Sequence, residues 1–514
     1  MASSGWIVLV LLLFSSLPRT ESKRVMFIPV PITSHAILHT RIARALMDLG
    51  HEVWLVLGSS VVSKGGFNMD GMNLIEYPVV NFDDEILYQT VLEPLYESRK
   101  PNLRLQFMLQ EQMYDAILSN ETLYTEMKLV RPELFVIDDD FPGSRLFAVF
   151  AYRMRVPFAC LDYAFEPFGR RVPFSSAVTP SFLFPFGHRM TFTERLKNTV
   201  FFLLYLIDRN FDGDAVFRYA REMPYISLDT LVARAEVWLV QMDHILDYPI
   251  STLPNVKLIG GIAASPAKPL SPEFQEFMDQ ASDGVLIVSF GSLVEGMPAR
   301  FGLGVFMAAF RRLTKLRVVF RSNITSPDPE KILTSSWIPQ NDLLAHPNTK
   351  VFLTHCGASG QYQALYHAVP MVGLPLFYDQ FYNAQRMKVK GFGKVVNFQD
   401  LTASKLVDVI DEVASDPRYK QTITRASTLF REQFGVPAER AAYWLDHVME
   451  YGGSYMRSAG QEMPLYQYLL LDVMAVIVGV VSLYLMILCL LVQRLYQKTF
   501  EGGNRRRRII TLTG

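Results

Sequence analysis

"VFLTHCGASGQYQALYHAVPMVGLPLFYDQ" occupies Val351–Gln380. Its first four residues read as a buried strand, "HCGASG" as the turn at the strand's carboxyl end, and "QYQALYHA" as a helix. Strand, turn and helix in that order are the repeating unit of a parallel sheet, whose ligands sit at the carboxyl ends of the strands. Gly357 and Gly360 let a ligand approach the backbone closely. The helix N-terminus adds free N–H groups and the positive end of a dipole. The turn therefore suits a phosphate, with His355 and Ser359 as further donors. An ordinary tight turn accounts for the same spacing, so taken alone the stretch leaves both readings open. His367, late in the helix, reads as structural, and "GFG" at Gly391–Gly393 as a turn.

The pattern extends in both directions. "GVLIVSF", "LRVVFR", "VFLTH" and "VPMVGLPL" alternate with helical stretches and define a C-terminal α/β half. An N-terminal half opens with the strand "RVMFIPV" (Arg24–Val30). A helix follows from about Ser34 to Leu49, with Ile37, Leu38, Ile42, Leu46 and Leu49 at helical spacing, and Gly50 stops it. "HEVWLVL" and "LFVI" continue that series. Between the halves, Pro249–Pro272 is rich in Pro, Gly and Ser and reads as the linker. Two sheets joined in this way predict a cleft between them.

At 514 residues the chain has room for two or three compact units, and its formal charge of +0 gives no general attraction to nucleic acid. Hydrophobic residues make up 50% of it, which directs attention to membrane segments. "WIVLVLLLF" (Trp6–Phe14) is too short to span a bilayer and reads as a secretory signal ending near residue 22. "VMAVIVGVVSLYLMILCLLV" (Val473–Val492) is uncharged and long enough to cross as a helix. Glu462 and Asp472 precede it; Arg494, Lys498 and Arg505–Arg508 follow it. The positive-inside rule then puts the tail in the cytoplasm and the body in the secretory lumen. The expected organisation is signal 1–22, N-terminal domain 23–245, linker 246–275, C-terminal domain 276–440, return helices 441–472, span 473–492 and basic tail 493–514. Cys160, Cys356 and the intramembrane Cys489 cannot form a disulfide framework. Asn120 and Asn323 head sequons compatible with lumenal glycosylation.

"WIPQNDLLAHPNTKVFLTHCGASGQYQALYHAVPMVGLPLFYDQFYNAQRMKVKG" (Trp337–Gly391) resembles the donor-binding signature of the UDP-glycosyltransferases, and most closely the animal UDP-glucuronosyltransferase branch. "LIGGIAASPAKPLSPEF", "VLIVSFGS", the signal, the span and the basic tail carry the resemblance over most of the chain. It implies an α/β chain of two Rossmann-like domains of the GT-B type plus one C-terminal transmembrane helix. The N-terminal half would hold the acceptor and the C-terminal half the UDP-sugar, in the endoplasmic reticulum membrane. Trp337 matches the aromatic that stacks on uracil, and Gln340 a neighbouring nucleoside contact. Ser292 follows a strand end near the pyrophosphate. His355 and Gly360 match diphosphate contacts, and Ser359 stands at the position of another. Asp379 and Gln380 match the pair that binds sugar hydroxyls. Two positions depart from the family pattern: Asn is usual where Ser359 stands, and Glu where Gln363 stands. A glutamate accepts both ribose hydroxyls, whereas Gln363 offers one acceptor oxygen beside an NH2 group, which predicts a weaker grip on ribose.

Transfer to a hydroxyl needs a base, and His35, after the first strand at the start of the first helix, matches the family's catalytic histidine. The helix dipole there favours the neutral imidazole that accepts a proton. Asp138 matches the orienting carboxylate, because Pro142 follows at the expected distance; Asp139 is the runner-up. A single displacement inverts the anomeric centre. The triplet Asp138–Asp140 also suits a divalent metal. The diphosphate already has a helix terminus and His355, so no metal or cofactor is expected, the UDP-sugar being a co-substrate. At the position where glucuronic-acid-using relatives place an arginine stands Gln241, which favours UDP-glucose over UDP-glucuronic acid. The alternatives are a glucuronosyltransferase, a ceramide-type galactosyltransferase and a UDP-sugar-binding membrane protein without transfer. The acceptor region, Leu87–Phe217, is apolar and suits a small lipophilic acceptor. Its stretch Val200–Ile207 reads as core, a membrane-facing helix or the acceptor-pocket wall. The expected partners are thus UDP-sugar, acceptor and lipid bilayer, not nucleic acid, with a homo-oligomer left open.

Overall fold

The computed structural model describes residues 21–79, 86, 88–96, 102–139, 143–163, 171–208, 214–291 and 303–510. The signal stretch up to residue 20, Asp140, Pro142 and Ser292 lie outside the described residues. The chain divides into a body ending at Arg457 and a C-terminal unit beginning at Ser458.

In the body, seven parallel strands form the first sheet: β1 (Arg24–Ile28), β2 (Glu52–Gly58), β3 (Asn73–Tyr77), β4 (Leu134–Asp138), β5 (Phe158–Asp162), β6 (Trp238–Val240) and β7 (Val256–Leu258). They lie in the order β3-β2-β1-β4-β5-β6-β7. β4 and β5 are buried throughout, as expected of strands covered on both faces, and so read as unbroken apolar runs. The second sheet contains β8 (Val285–Ser289), β9 (Arg317–Arg321), β10 (Ile332–Ser335), β11 (Thr349–Thr354), β12 (Met371–Gly373) and β13 (Gly393–Val395), all parallel, in the order β10-β9-β8-β11-β12-β13. Each order reverses once, between β1 and β4 and between β8 and β11. Such a reversal opens a crevice at the strands' carboxyl ends.

Five helices of the body concern the site: α1 (Thr33–Asp48), α2 (Leu103–Leu118), α3 (Phe192–Asp208), α4 (Ala358–Tyr366) and α5 (Gln380–Val389). The helix after Gly357 starts earlier than expected: Ala358–Gly360, read from sequence as turn, form its first residues, with Gly357 as N-cap. A sixth, α6 (Pro437–Tyr451), straddles the expected boundary at residue 440 and packs on α1. Ala438, Ala441, Ala442 and Leu445 share a core there with Leu38 and Ile42, and Asp446 meets His51 at 2.9 Å.

The expected linker 246–275 needs correction. It contains β7, which pairs with β6, so its first part belongs to the first sheet. Three residues are too few to show a two-residue period. The segment is also welded to the second half. Gly261 lies so close to Tyr362 that a Cβ would come within 2.0 Å of the ring. Below it, Asp247 is ion-paired with Arg386 of α5 and accepts the Tyr362 hydroxyl at 2.7 Å. The Arg386 Nε–H donates to Gln361, whose amide in turn donates to the Asn383 carbonyl.

The C-terminal unit holds α7 (Leu471–Ile510). Its segment Leu471–Lys498, whose most apolar 18-residue window has a mean hydropathy of 2.9, is the one helix among the described residues long and apolar enough to cross a membrane.

Asp243 sits within this joint. Burial, then the nearby Asp247, push its carboxyl up from 3.8 to about 6. A raised pKa means the folded state holds the proton more tightly than the unfolded chain. Asp243 therefore favours folding fully below about pH 4, and that contribution is lost as pH rises through about 6. Asp243→Asn keeps an oxygen for the Ile245 and Leu246 N–H groups. It should leave thermal stability unchanged at pH 4 and raise it at pH 7.5, as read by melting curves at the two pH values.

Candidate active site

At the reversal of the first sheet, β4 ends on Asp138, and β1 leads through Val30 into the first turn of α1, which carries His35. Asp138 has no exposed surface. The Val30 N–H donates to its Oδ2 at 2.7 Å, and His35 Nδ1 lies 3.0 Å from the same oxygen. His39 Nε2 lies 2.7 Å from Oδ1, which also accepts the Tyr163 hydroxyl at 3.1 Å. Burial alone would raise this carboxyl's pKa; His39 and His35 beside it outweigh that and hold it well below the usual carboxylate range. An ionised Asp138 makes His35 Nδ1 the donor. Nε2 is then left as a lone-pair base, on a ring that lines the cleft. The Tyr163 ring packs against His35 edge-on at 4.4 Å.

His39 and Tyr163 were not anticipated. His39 had a legible signal: it follows His35 by four residues and so lies on the same helix face. Its Nδ1 is buried without a hydrogen-bond partner among the described residues. Tyr163, just beyond β5, comes near only through the sheet order.

His35 faces a cleft of about 1570 Å³ lined by both halves. On the second-sheet side, His355 follows β11, and its imidazole is wedged between two glycines. A Cβ on Gly291 or Gly357 would lie 2.7 or 2.5 Å from Nε2, and Gly291 moreover has φ +81°. Burial pushes His355 down to about 4, against a hydrogen bond with the Ser289 backbone that raises it. The ring is therefore neutral at physiological pH and brings no cationic charge to the turn. Positive potential there comes from the N–H groups of α4, whose first turn contains Ser359 and Gly360, and from Arg321, which lines the cleft and whose charge is felt at His355. Cys356, between His355 and Gly357, takes φ +68°, a left-handed conformation uncommon for a residue with a side chain.

Trp337 is 43% exposed and lies over the guanidinium of Arg321 at 4.7 Å. Gly66, from the first half, approaches the same ring, a Cβ there meeting it at 3.2 Å. The Gln340 amide donates to Gln363 Oε1 at 2.6 Å, and the Gln363 amide donates to the Ala263 carbonyl at 3.1 Å. Gln363 is thus committed to the protein at both ends of its amide. Asp379, its carboxyl raised by burial, accepts from Asn383 at 2.6 Å. Gln380 Oε1 accepts the Leu376 and Phe377 N–H groups. Trp337, Gln340, His355, Ser359, Gly360, Gln363, Asp379 and Gln380 all line the cleft, as do His35 and Asp139.

Gln241 and the two sequons lie outside the cleft. Gln241 does not reach the cleft: it is 3% exposed beneath the linker, with its Oε1 on the Ile262 N–H at 3.0 Å. Asn120 caps the helix Glu121–Val130 through its side chain, and Asn323 is exposed. Among the described residues, which include Asp138 and Asp139 but not Asp140, no cluster of three or more His, Cys, Asp or Glu could hold a metal ion.

Comparison with known proteins agrees with this geometry. Residues 23–506 match the family described as UDP-glucoronosyl and UDP-glucosyl transferase. UDP-glucuronosyltransferase 2B13 of Oryctolagus cuniculus is 29% identical over 92% of this chain and 93% of its own. UDP-glucuronosyltransferase 2B10 of Homo sapiens is 30% identical over 87% and 88%. Among solved structures, the spinosyn forosaminyltransferase SpnP superposes with a TM-score of 0.55 at 16% identity, covering 83% of this chain and 99% of its own. The calicheamicin glycosyltransferase CalG4 gives 0.52 at 16% identity, covering 84% and 99%; at such identities these two speak for the GT-B fold alone. The chain belongs to the UDP-glucuronosyl and UDP-glucosyl transferase family and is a UDP-glycosyltransferase.

Proposed function

We propose that this enzyme moves a neutral hexose from UDP-glucose, with inversion, to a hydroxyl of a small lipophilic acceptor. The observation that carries the reaction is the His35–Asp138 pair at the wall of the cleft. His35 Nε2 takes the acceptor hydroxyl's proton as the oxygen bonds to the anomeric carbon, and the bond from that carbon to the diphosphate oxygen breaks. The imidazolium that forms is held against Asp138 by a charge-assisted hydrogen bond. Uracil stacks on Trp337, and the departing diphosphate meets the N–H groups of α4. Asp379 and the NH2 group of Gln380 serve the sugar hydroxyls. No metal is needed for any of these steps.

Gln241 supports a neutral sugar in a way that differs from the sequence argument. It makes no sugar contact itself, but it leaves the buried position without a guanidinium. The four arginines that line the cleft have partners: Arg41 donates to the Ala263 carbonyl at 2.6 Å, Arg44 donates to Asn68 Oδ1 at 3.2 Å, Arg145 pairs with Asp229 at 3.0 Å, and Arg321 lies under Trp337. A second reading, UDP-glucuronic acid as donor, is favoured by the names of the curated relatives. For the acceptor, Phe182, Leu183, Phe201 and Tyr205 give the cleft an apolar wall. We also read α7 as crossing the endoplasmic reticulum membrane once, with the body lumenal and the basic tail cytoplasmic.

Two outcomes test this reading. With one phenolic acceptor, kcat/KM for UDP-glucose should exceed that for UDP-glucuronic acid by about 10-fold, the scale of a single charged hydrogen bond; the reverse order establishes the second reading.

For the base, Asp138→Asn should lower kcat by roughly 10²–10⁴-fold with UDP affinity nearly intact. His39→Leu should lower kcat by about 10-fold, and His39→Gln, which retains an N–H donor, should recover most of it. Steady-state kinetics beside UDP titration separates these effects; equal losses in binding and turnover would point to misfolding instead.

A further inference from the structure

Tyr378 stands just before Asp379, the residue given above to the sugar hydroxyls, and its backbone is left-handed at φ +50°. A residue with a side chain holds that conformation only where its surroundings impose it. Two contacts impose it here. Gln380 Oε1 accepts the Leu376 N–H at 2.8 Å and the Phe377 N–H at 3.2 Å, which pins the loop. The Phe377 ring then meets the Tyr378 ring edge-on at 5.4 Å.

The side chain so fixed leaves its own half of the body. Its hydroxyl donates to Gln106 Oε1 on α2, in the half that carries His35. Gln106 is 1% exposed, and Met113 and Ile117, two and three turns further on, lie on the same helix face within the core of that half. The far end of the bond therefore stands on an anchored helix. Burial pushes the Tyr378 phenol up to about 12, against the Gln106 bond that lowers it, so the hydroxyl is neutral and remains a donor at physiological pH. A charge on the His35 ring is felt at Asp379, so the crossing lies beside the base. Tyr378 and Gln106 both line the cleft, together with the apolar side chains of Phe107, Phe201 and Tyr205.

We propose that Tyr378, fastened to Gln106, is a bar across the acceptor end of the cleft and a specificity-determining residue: it sets the upper size of an alcohol that can bring its hydroxyl to His35 Nε2. A loose aromatic side chain would swing away from a large acceptor. One braced by Phe377 at its base and bonded to a fixed amide at its tip moves only by breaking that bond, which leaves the buried Gln106 oxygen unpaired. A one-ring phenol fits beside the bar, and a fused-ring alcohol has to displace it. The size limit rests on the lipophilic acceptor proposed above; the fastening of the bar does not.

The test compares para-nitrophenol with hydroxypyrene on the full chain. It reads kcat/KM with UDP-glucose and with UDP-glucuronic acid, and it reads binding of each alcohol by fluorescence titration, which needs no turnover. Tyr378→Gly suits the left-handed backbone and removes the ring. It should raise the hydroxypyrene to para-nitrophenol ratio by about 10-fold in both readouts. Tyr378→Phe keeps the ring without its hydroxyl, and Gln106→Leu removes the partner. Each should raise the ratio a few-fold, and the double variant no further than either single, because all three lack the same bond. UDP affinity should stay near that of the native chain throughout.

An unchanged ratio in Tyr378→Gly overturns the proposal, and so do additive effects of Tyr378→Phe and Gln106→Leu. A ratio that shifts only in step with lost UDP affinity marks a disturbed loop and overturns it too. If Tyr378→Gly does not fold, the other two variants and their combination decide. A shifted binding ratio without turnover of either alcohol would instead overturn the acceptor reading and leave the bar standing.

Discussion

A carboxylate stripped of water stays ionised only where donors replace the lost hydration, and Asp138 is ringed by four. The Val30 N–H, His35, His39 and the Tyr163 hydroxyl share its two oxygens. An isolated buried ion costs several kcal/mol, so this arrangement stands only if all its parts are placed together. The strand order does that: β1 beside β4 sets Val30 and α1 next to Asp138, and β5 beside β4 brings in Tyr163. The tautomer of His35, with the proton on Nδ1, follows from that anchoring.

The opposite wall works by other means. Its imidazole is neutral, and its glycines are required by close packing against His355. Backbone dipoles, with the charge of Arg321, therefore supply the positive potential. Such dipoles are already oriented and need no counter-ion when the site is empty, which suits a wall that alternately holds and releases a charged nucleotide. Gln363 belongs to this economy of neutral groups. The glutamate usual at this position in the family would place a carboxylate against the Ala263 carbonyl, where the Gln363 amide donates instead.

The two walls keep their spacing through the buried joint around Asp247 and Arg386. Arg386 lies on α5, the helix that begins at Gln380, and Asp247 follows β6 of the first sheet. One ion pair thus couples the helix that begins at Gln380 to the sheet that carries Asp138. Tyr378 adds a second tie across the cleft, donating its hydroxyl to Gln106 of α2.

Much of this was legible in the order of residues. Both parallel sheets, the strand, turn and helix after β10 and the membrane-length helix follow from local signals: unbroken apolar runs, helical spacing, glycines after a strand end; Asp138 was preferred to Asp139 only through the family resemblance. A local signal suffices there because each property depends on neighbours within a few residues. Other features depend on which distant segments meet, and only the tertiary structure decided those. The family resemblance put Gln241 at the place of a sugar-binding arginine, yet its side chain turns to Ile262 beneath the linker. Val256–Leu258 became a strand because β6 offered an open edge, not because three residues carry a period. The apolar stretch Val200–Ile207 allowed core, wall or membrane face; Asn198, bonded to Ser176, Thr179 and Ser181, sets the rotation of the helix and with it which side chains meet the cleft and which stay outside. Composition determined that α3 is apolar, and packing determined in which direction.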